Sequence, residues 1–188
     1  DFKSIDPESD KGSVLTSIAG TKEAKNAIYD AQIPQTAAVD RSTTKATDVQ
    51  YNGSPAFKNI QGLNLQHAVN TESTVFKDHN TYYLCDNAIW FVANSPNGPW
   101  IVSDQRPKEV NNIPASHPKY HIKYVYIYET TPKVVYVGYT PGYSGSYIYH
   151  NTVVYGTGHY YNPWHNGFYY HHHYTYGYNI RYDYWNGW

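Results

Sequence analysis

The chain has 188 residues and a formal net charge of -1, so it lacks the basic excess that is typical of nucleic-acid-binding proteins. Its length suits one large domain or two small ones. No window approaches ~20 apolar residues, so no membrane span is predicted. Cys85 is the only cysteine, which excludes an internal disulfide, and it is expected to be buried in a strand. Because methionine is absent even at position 1, we expect a processed chain or a fragment of a longer protein.

Residues 1–48 are predicted to form a helical and linker segment. Thr21 can cap a helix over residues 22–31, whose apolar stripe has helical spacing. Pro34 prevents this helix from continuing. The polar run over residues 40–48 is typical of a linker.

Residues 49–118 are predicted to form an antiparallel β-meander module. Asn52-Gly53 is a strong hairpin signal after a short strand at residues 49–51. Turn residues at 86–87 and 96–98 separate later apolar runs. The further strands are predicted at residues 65–69, 74–77, 81–85, 88–93 and 100–103. Trp90 and Trp100 are expected to be buried together as anchors of this meander.

Residues 119–188 are predicted to form a tyrosine-, glycine- and histidine-rich β segment. Nineteen of the chain's 23 tyrosines follow Lys119. Strands are predicted at residues 122–128, 134–139, 147–149 and 153–155. Tyr124, Tyr126 and Tyr128 alternate with apolar residues, so they share one face of a strand that is either buried on both sides or meets a partner. The expected fold class is therefore mostly β (α+β), with antiparallel meander sheets and one short amino-terminal helix.

Several motifs of this chain occur together in a known group of proteins. They are IPQTA at residues 33–37, YNGSPAF at 51–57, AVNT at 68–71, WFVA-x-SP-x-GPW at 90–100, VVYVGYTPGY at 134–143 and VVYGTG at 153–158. With these motifs the chain resembles large bacterial proteins labelled "carbohydrate-binding family V/XII". The resemblance implies a secreted protein, carbohydrate binding, and similar segments upstream of this one. A weak internal repeat, residues 5–11 against 113–119, agrees with such a repeated parent chain.

The sharpest candidate for chemistry is the run of three histidines at residues 171–173. In a strand, His171 and His173 point to one face and can chelate a transition metal, with His165 completing the site. The alternative is a row of solvent-facing histidines. No nucleophile elbow, zincin motif or phosphate-binding glycine loop is present, so neither enzymatic activity nor a cofactor is expected.

The aromatic residues of the last segment are the predicted contact residues, because Tyr and Trp offer broad, rigid, amphipathic surfaces. Tryptophans in this segment suit assembly contacts, a glycan platform or internal packing. The predicted contact residues are Tyr147, Tyr149, Trp164, Tyr169, Tyr170, Tyr174, Tyr176, Trp185 and Trp188. The leading hypothesis is a non-enzymatic extracellular or cell-surface protein that forms a homo-oligomer or filament through its tyrosine-rich sheet. The alternative is a polysaccharide-binding module, and a third is a metal or redox role for the histidine and tyrosine cluster.

Overall fold

The computed structural model describes residues 34–114 and 116–140, the backbone of two further strands at residues 146–149 and 152–155, and three residues nearer the amino terminus. Those three, Lys22, Asn26 and Tyr29, are helical, and the rest of the predicted helix lies outside the described residues. The chain is divided into two compact units. Residues 35–139 belong to one of them, and the two strands at 146–155 belong to the other.

The described residues are mostly β, as expected from the sequence. The strands are β1 (Gln35–Asp40), β2 (Phe57–Asn59), β3 (Gln66–Ala68), β4 (Thr74–Asp78), β5 (Thr81–Asp86), β6 (Ile89–Ala93), β7 (Ile101–Val102), β8 (Val125–Thr130), β9 (Val134–Tyr139), β10 (Ser146–Tyr149) and β11 (Thr152–Tyr155). Short 3-10 helices occupy Lys108–Asn112 and Tyr120–Tyr124.

Strands β2 to β7 form a six-stranded antiparallel sheet in strict chain order. The predicted meander is thus confirmed, although its first strand, β2 at Phe57–Asn59, was not predicted. The turn between β5 and β6 contains Asn87 and Ala88 at φ 48° and 59°. Positive φ at both central residues matches the right-handed twist of the flanking strands, which explains why a two-residue loop suffices here.

The prediction of a short strand at residues 49–51 is wrong. This segment has no strand hydrogen bonding; instead the Tyr51 hydroxyl donates to the Pro96 carbonyl at 2.9 Å. The Asn52 amide donates to the Asn70 carbonyl at 2.8 Å, so the Asn52-Gly53 turn serves this loop and not a hairpin. Tertiary hydrogen bonds to two distant loops therefore replace the ladder that the turn signal predicted.

The prediction that Trp90 and Trp100 are buried together is also wrong. Trp90 is fully buried and packs against Phe76, with ring centroids 6.1 Å apart. Trp100 is half-buried, lies before β7 and contacts Gly98 in the preceding turn. Because side chains alternate along a strand, Trp100 belongs with Val102 on the face opposite Trp90.

Strands β1, β9 and β8 form a three-stranded antiparallel sheet with β9 at its centre. The sequence analysis placed β1 within a helical and linker segment and did not predict it. It also began the strand before β9 too early, because Tyr120–Tyr124 is a 3-10 helix and β8 starts at Val125. The strand predicted at residues 134–139 has the observed bounds.

One face of the three-stranded sheet packs into the core, where Val39, Val125, Val135 and Val137 are each 0% exposed. The Trp90 indole nitrogen donates to the Val125 carbonyl at 3.2 Å. This hydrogen bond joins strand β6 of the six-stranded sheet to the outer strand β8, so the two sheets share one core.

Strands β10 and β11 form a separate antiparallel hairpin, in which Tyr147 pairs with Val154 and Tyr149 pairs with Thr152. Both strands were predicted from the sequence, within one residue at each start. Two of the predicted contact tyrosines therefore lie on a strand.

Candidate interaction surface

The outer face of the three-stranded sheet is rich in tyrosine. The register aligns Tyr126 with Gly138, and Gly138 with Thr36. It likewise aligns Tyr136 with Ala38. Residues directly opposite each other project to the same side of a sheet. The register also aligns Glu129 with Tyr136. Together with Tyr128, these side chains form what we call the tyrosine face: Thr36, Ala38, Tyr126, Tyr128, Glu129, Tyr136 and Gly138.

Two rings of the tyrosine face are open to solvent, since Tyr128 is 50% exposed and Tyr136 is 41% exposed. A β-bulge between Ile127 and Glu129 leaves Tyr128 without a register partner. Its ring lies next to Gly138, and a Cβ at Gly138 would overlap this ring. The glycine thus leaves room for an aromatic ring close to the backbone of β9.

Four tyrosines form two ring pairs, and the second pair lies on this face. The rings of Tyr120 and Tyr124 are 5.9 Å apart, and their hydroxyls are 3.3 Å apart. The rings of Tyr126 and Tyr128 are also 5.9 Å apart. Burial raises the pKa of Tyr124, and the neighbouring Tyr120 and Tyr126 phenols raise it further. We call Tyr120, Tyr124, Tyr126 and Tyr128 the tyrosine row.

Cations cover three of the four rings in the tyrosine row. The Lys123 ammonium lies 4.7 Å from the centroid of Tyr120 and 5.8 Å from that of Tyr124. The Arg106 guanidinium lies 4.6 Å from the centroid of Tyr126. Among the described residues, no cation lies over the Tyr128 ring.

Arg106 holds the start of β8 in place. It donates to the carbonyls of Lys123 at 2.9 Å and Val125 at 2.7 Å, and to the Asn111 side chain at 2.8 Å. Burial lowers its pKa, although the Tyr126 phenol acts in the opposite direction. Since its carbonyl partners lie at the beginning of an outer strand, Arg106 blocks strand addition there.

A second polar cluster lies on the six-stranded sheet. The rings of His67 and His117 are perpendicular, with centroids 4.5 Å apart. His117 accepts the Lys119 amide at 3.1 Å, while its other ring nitrogen and Nδ1 of His67 are buried without a hydrogen-bond partner. Burial lowers the pKa of His117 to about 4, and His67 and Lys119 add to this effect. Both imidazoles are thus neutral at pH 7. Protonation would place a positive charge close to Lys119, which opposes it.

Three of the six motif segments, at residues 51–57, 68–71 and 90–100, meet at one end of the six-stranded sheet. Besides the bond from Tyr51 to Pro96, the Asn70 side chain donates to the carbonyls of Asn52 and Ser54, both at 2.8 Å. Its oxygen accepts the Ala56 amide at 3.0 Å. These contacts explain the motifs as parts of one loop junction. The nearby rings of Phe57 and Tyr82 are half-buried and 5.5 Å apart.

Most contact residues predicted from the sequence lie outside the described residues. They are Trp164, Tyr169, Tyr170, Tyr174, Tyr176, Trp185 and Trp188, together with the predicted metal ligands His165, His171 and His173. Within the part of the chain that is described, no group of three potential metal ligands is present, and no helix is long and apolar enough to cross a membrane. Cys85 is buried, as expected.

No family model, curated protein or solved structure matches this chain. The tyrosine face was missing from the predicted contact residues, although its signal was visible: Tyr126 and Tyr128 alternate with Val125 and Ile127. What the alternation could not reveal is the distant glycine on which one of the rings lies.

Proposed function

We propose that the protein is a non-enzymatic extracellular or cell-surface protein that assembles with copies of itself through its tyrosine-rich β surface. The observation that carries this proposal is the tyrosine face, where Tyr128 and Tyr136 expose 50% and 41% of their surface on one side of a sheet. Exposed aromatic rings are enriched at protein contacts, because they bury a large area at a small cost in side-chain entropy.

The shape of the tyrosine face supports a flat contact between two proteins. Its small residues, Thr36 and Ala38, are exposed beside the large rings. The Tyr128 ring lies close against Gly138, where a larger residue would not fit. A second sheet can approach such a surface closely, as sheets do when they pack face to face. When no second protein covers the tyrosine face, the tyrosine hydroxyls can form hydrogen bonds with water.

Sedimentation velocity of the whole chain over a range of concentrations tests the proposal. The unmodified protein is expected to sediment faster as its concentration rises, and a variant with both Tyr128→Ser and Tyr136→Ser is expected to lose most of this increase. Ile101→Ser is the matched control, because Ile101 is 65% exposed but lies on the six-stranded sheet. A compact monomer at high micromolar concentration in the unmodified protein would overturn the proposal.

Carbohydrate binding is the second candidate, and the loop junction favours it. Phe57 and Tyr82 present half-buried rings beside the Lys77 ammonium, which lies 5.7 Å from the Tyr82 centroid. A ring edge next to polar groups is a common arrangement in ligand sites. Retention of the protein on insoluble chitin or cellulose, lost in Phe57→Ala with Tyr82→Ala but kept in the variant with Tyr128→Ser and Tyr136→Ser, would favour this function over assembly.

A further inference from the structure

We propose that the outer edge of strand β1 pairs with the same edge of a second copy, so that two three-stranded sheets join into one continuous sheet. This inference deepens the proposed function and rests on it, because it takes a second copy of the chain as the partner. The contact itself is separate from the tyrosine face, since it lies at the edge of that sheet.

Among the outer strands of the two sheets, only β1 lacks protection against strand addition within the described part of the chain. β2 has three residues with Lys58 at its centre, and β7 has two residues. β8 has a bulge, and Arg106 occupies carbonyls at its start. β1 has six residues, no lysine, arginine or proline, and one charge at its last position, Asp40. No other described strand pairs with its outer edge. Because short length, lysines and bulges protect sheet edges, β1 is the edge that is open to a partner.

The hydrogen bonds at the end of the sheet show which backbone groups of β1 face outward. The Arg41 amide donates to the Lys133 carbonyl at 3.0 Å, directly after the last pair of the register between β1 and β9. The Thr131 amide donates to the Val134 carbonyl at 2.8 Å, so this carbonyl of β9 faces β8. Hydrogen-bonded and non-hydrogen-bonded pairs alternate in an antiparallel ladder, so the odd-numbered residues of β1 bond to β9. The amides and carbonyls that point away from β9 are those of the even-numbered residues: Thr36, Ala38 and Asp40.

The two ends of this edge are complementary to each other. Pro34 directly precedes β1 and has no amide hydrogen, while the Asp40 carbonyl accepts the Thr44 amide at 3.1 Å. An antiparallel partner that places Pro34 opposite Asp40 brings the missing donor of one copy to the occupied acceptor of the other. The remaining hydrogen bond of this pair, from the Asp40 amide to the Pro34 carbonyl, can form. The same alignment pairs Thr36 with Ala38 of the second copy, and it is identical for both copies, as a twofold axis requires.

Side chains and charges agree with this alignment. The twofold axis passes between the two copies of Ala37, a non-hydrogen-bonded pair whose Cα atoms approach to about 4.5 Å, and small side chains fit there. The two copies of Asp40 lie six positions apart, about 20 Å along the strands, so like charges do not meet. The axis is perpendicular to the sheet, so both tyrosine faces point to the same side and stay open. With both contacts the protein can grow beyond a dimer, whereas the edge contact alone gives dimers.

Disulfide trapping in the whole chain tests this alignment. Thr36→Cys and Ala38→Cys are made in separate chains, and both positions are exposed, so neither substitution removes a core side chain. Across the proposed contact the two positions face each other at a Cα distance of about 5.5 Å, within reach of a disulfide. Two copies of the same variant place their cysteines about 8 Å apart, beyond that reach. Cys85 is buried, so the unmodified chain is expected to remain unlinked.

Under mild oxidation, we expect an equal mixture of the two variants to give severalfold more linked dimer than either variant alone. Mass spectrometry should identify the link between positions 36 and 38. An equal mixture of Thr36→Cys and Ile101→Cys is the control for chance collisions, because Ile101 is exposed on the other sheet. Linkage in the first mixture that does not exceed the linkage in this control, or in either variant alone, overturns the edge contact.

The proposed function is judged separately, by repeating the trapping in chains that also carry Tyr128→Ser and Tyr136→Ser. Selective trapping that persists in these chains supports the edge contact. If, in addition, the concentration-dependent sedimentation of the unmodified protein does not depend on the two tyrosines, the tyrosine face fails as the assembly surface and the edge contact stands. Sedimentation that does depend on them, without selective trapping, contradicts the edge contact alone.

Discussion

The two sheets of the unit at residues 35–139 are built in different ways. The six-stranded sheet joins strands in chain order, so each strand pairs with the next one through a short connection. The three-stranded sheet pairs β1 with β9, which lies about a hundred residues later in the sequence. The first sheet has its largest aromatic residue in the core, whereas the second exposes tyrosines on one face. Local pairing therefore built the six-stranded sheet and also the β8–β9 hairpin that carries the exposed tyrosines, whereas distant pairing added Thr36 and Ala38 of β1 beside them.

Trp90→Ala should have the largest effect, because it removes the residue that joins the two sheets. A fully buried aromatic side chain typically costs about 3–5 kcal/mol when truncated to alanine. The Val125 carbonyl would also lose the indole donor, although Arg106 still donates to it. Urea denaturation should show this loss in the free energy of unfolding. Trp100→Ala should cost clearly less, since Trp100 is half-buried; equal losses would contradict the assignment of the two rings to opposite faces.

Gly138→Ala should affect the three-stranded sheet alone. The new methyl group overlaps the Tyr128 ring, so either the ring leaves the sheet or β8 shifts, at a cost of about 1–3 kcal/mol. Denaturant melts measure the loss, and the increased exposure of Tyr128 should appear as faster labelling by a tyrosine reagent. In a Tyr128→Ala background the same glycine substitution should cost little. If the two changes are additive, the contact between ring and glycine does not explain the effect.

Mild acid should weaken the six-stranded sheet. His117 has its pKa lowered from the ordinary 6.5 to about 4, so between these values the unfolded chain binds more protons than the folded one. Stability is therefore greatest above pH 6.5 and decreases as the pH falls toward 4. After allowance for solvent screening, we expect a change of about 1 kcal/mol. Melting temperatures across this range measure it, and His117→Gln should flatten the curve.

His79→Asn is the control for the acid experiment, because the His79 side chain is 86% exposed. Because His117 is intact in this variant, its stability should decrease in acid as that of the unmodified protein does. The same acid dependence in His117→Gln would show that another group causes the loss. Lys58 and Lys119 are the cations whose charge opposes protonation of His67, and Lys119 also opposes that of His117.

The meander was predictable because its signals are local. The turn at Asp86 and Asn87, and the apolar runs on both sides of it, lie within a few residues of one another. The bounds of β9 were equally clear from its run of valines, VVYV at residues 134–137. Where local signals failed, a distant partner was responsible. The segment at residues 49–51 is held by Pro96 and Asn70 and so does not form a strand.

The sequence by itself determined the fold class: mostly β, with antiparallel strands along which tyrosines alternate with apolar residues. Only the tertiary structure decided which tyrosines share a surface. Tyr128 lies on Gly138 because a bulge and a strand pairing bring them together. Arg106 covers the Tyr126 ring from a segment twenty residues earlier in the chain. Such arrangements depend on register and on contacts between distant segments, and neither is encoded in the spacing of residues along one strand.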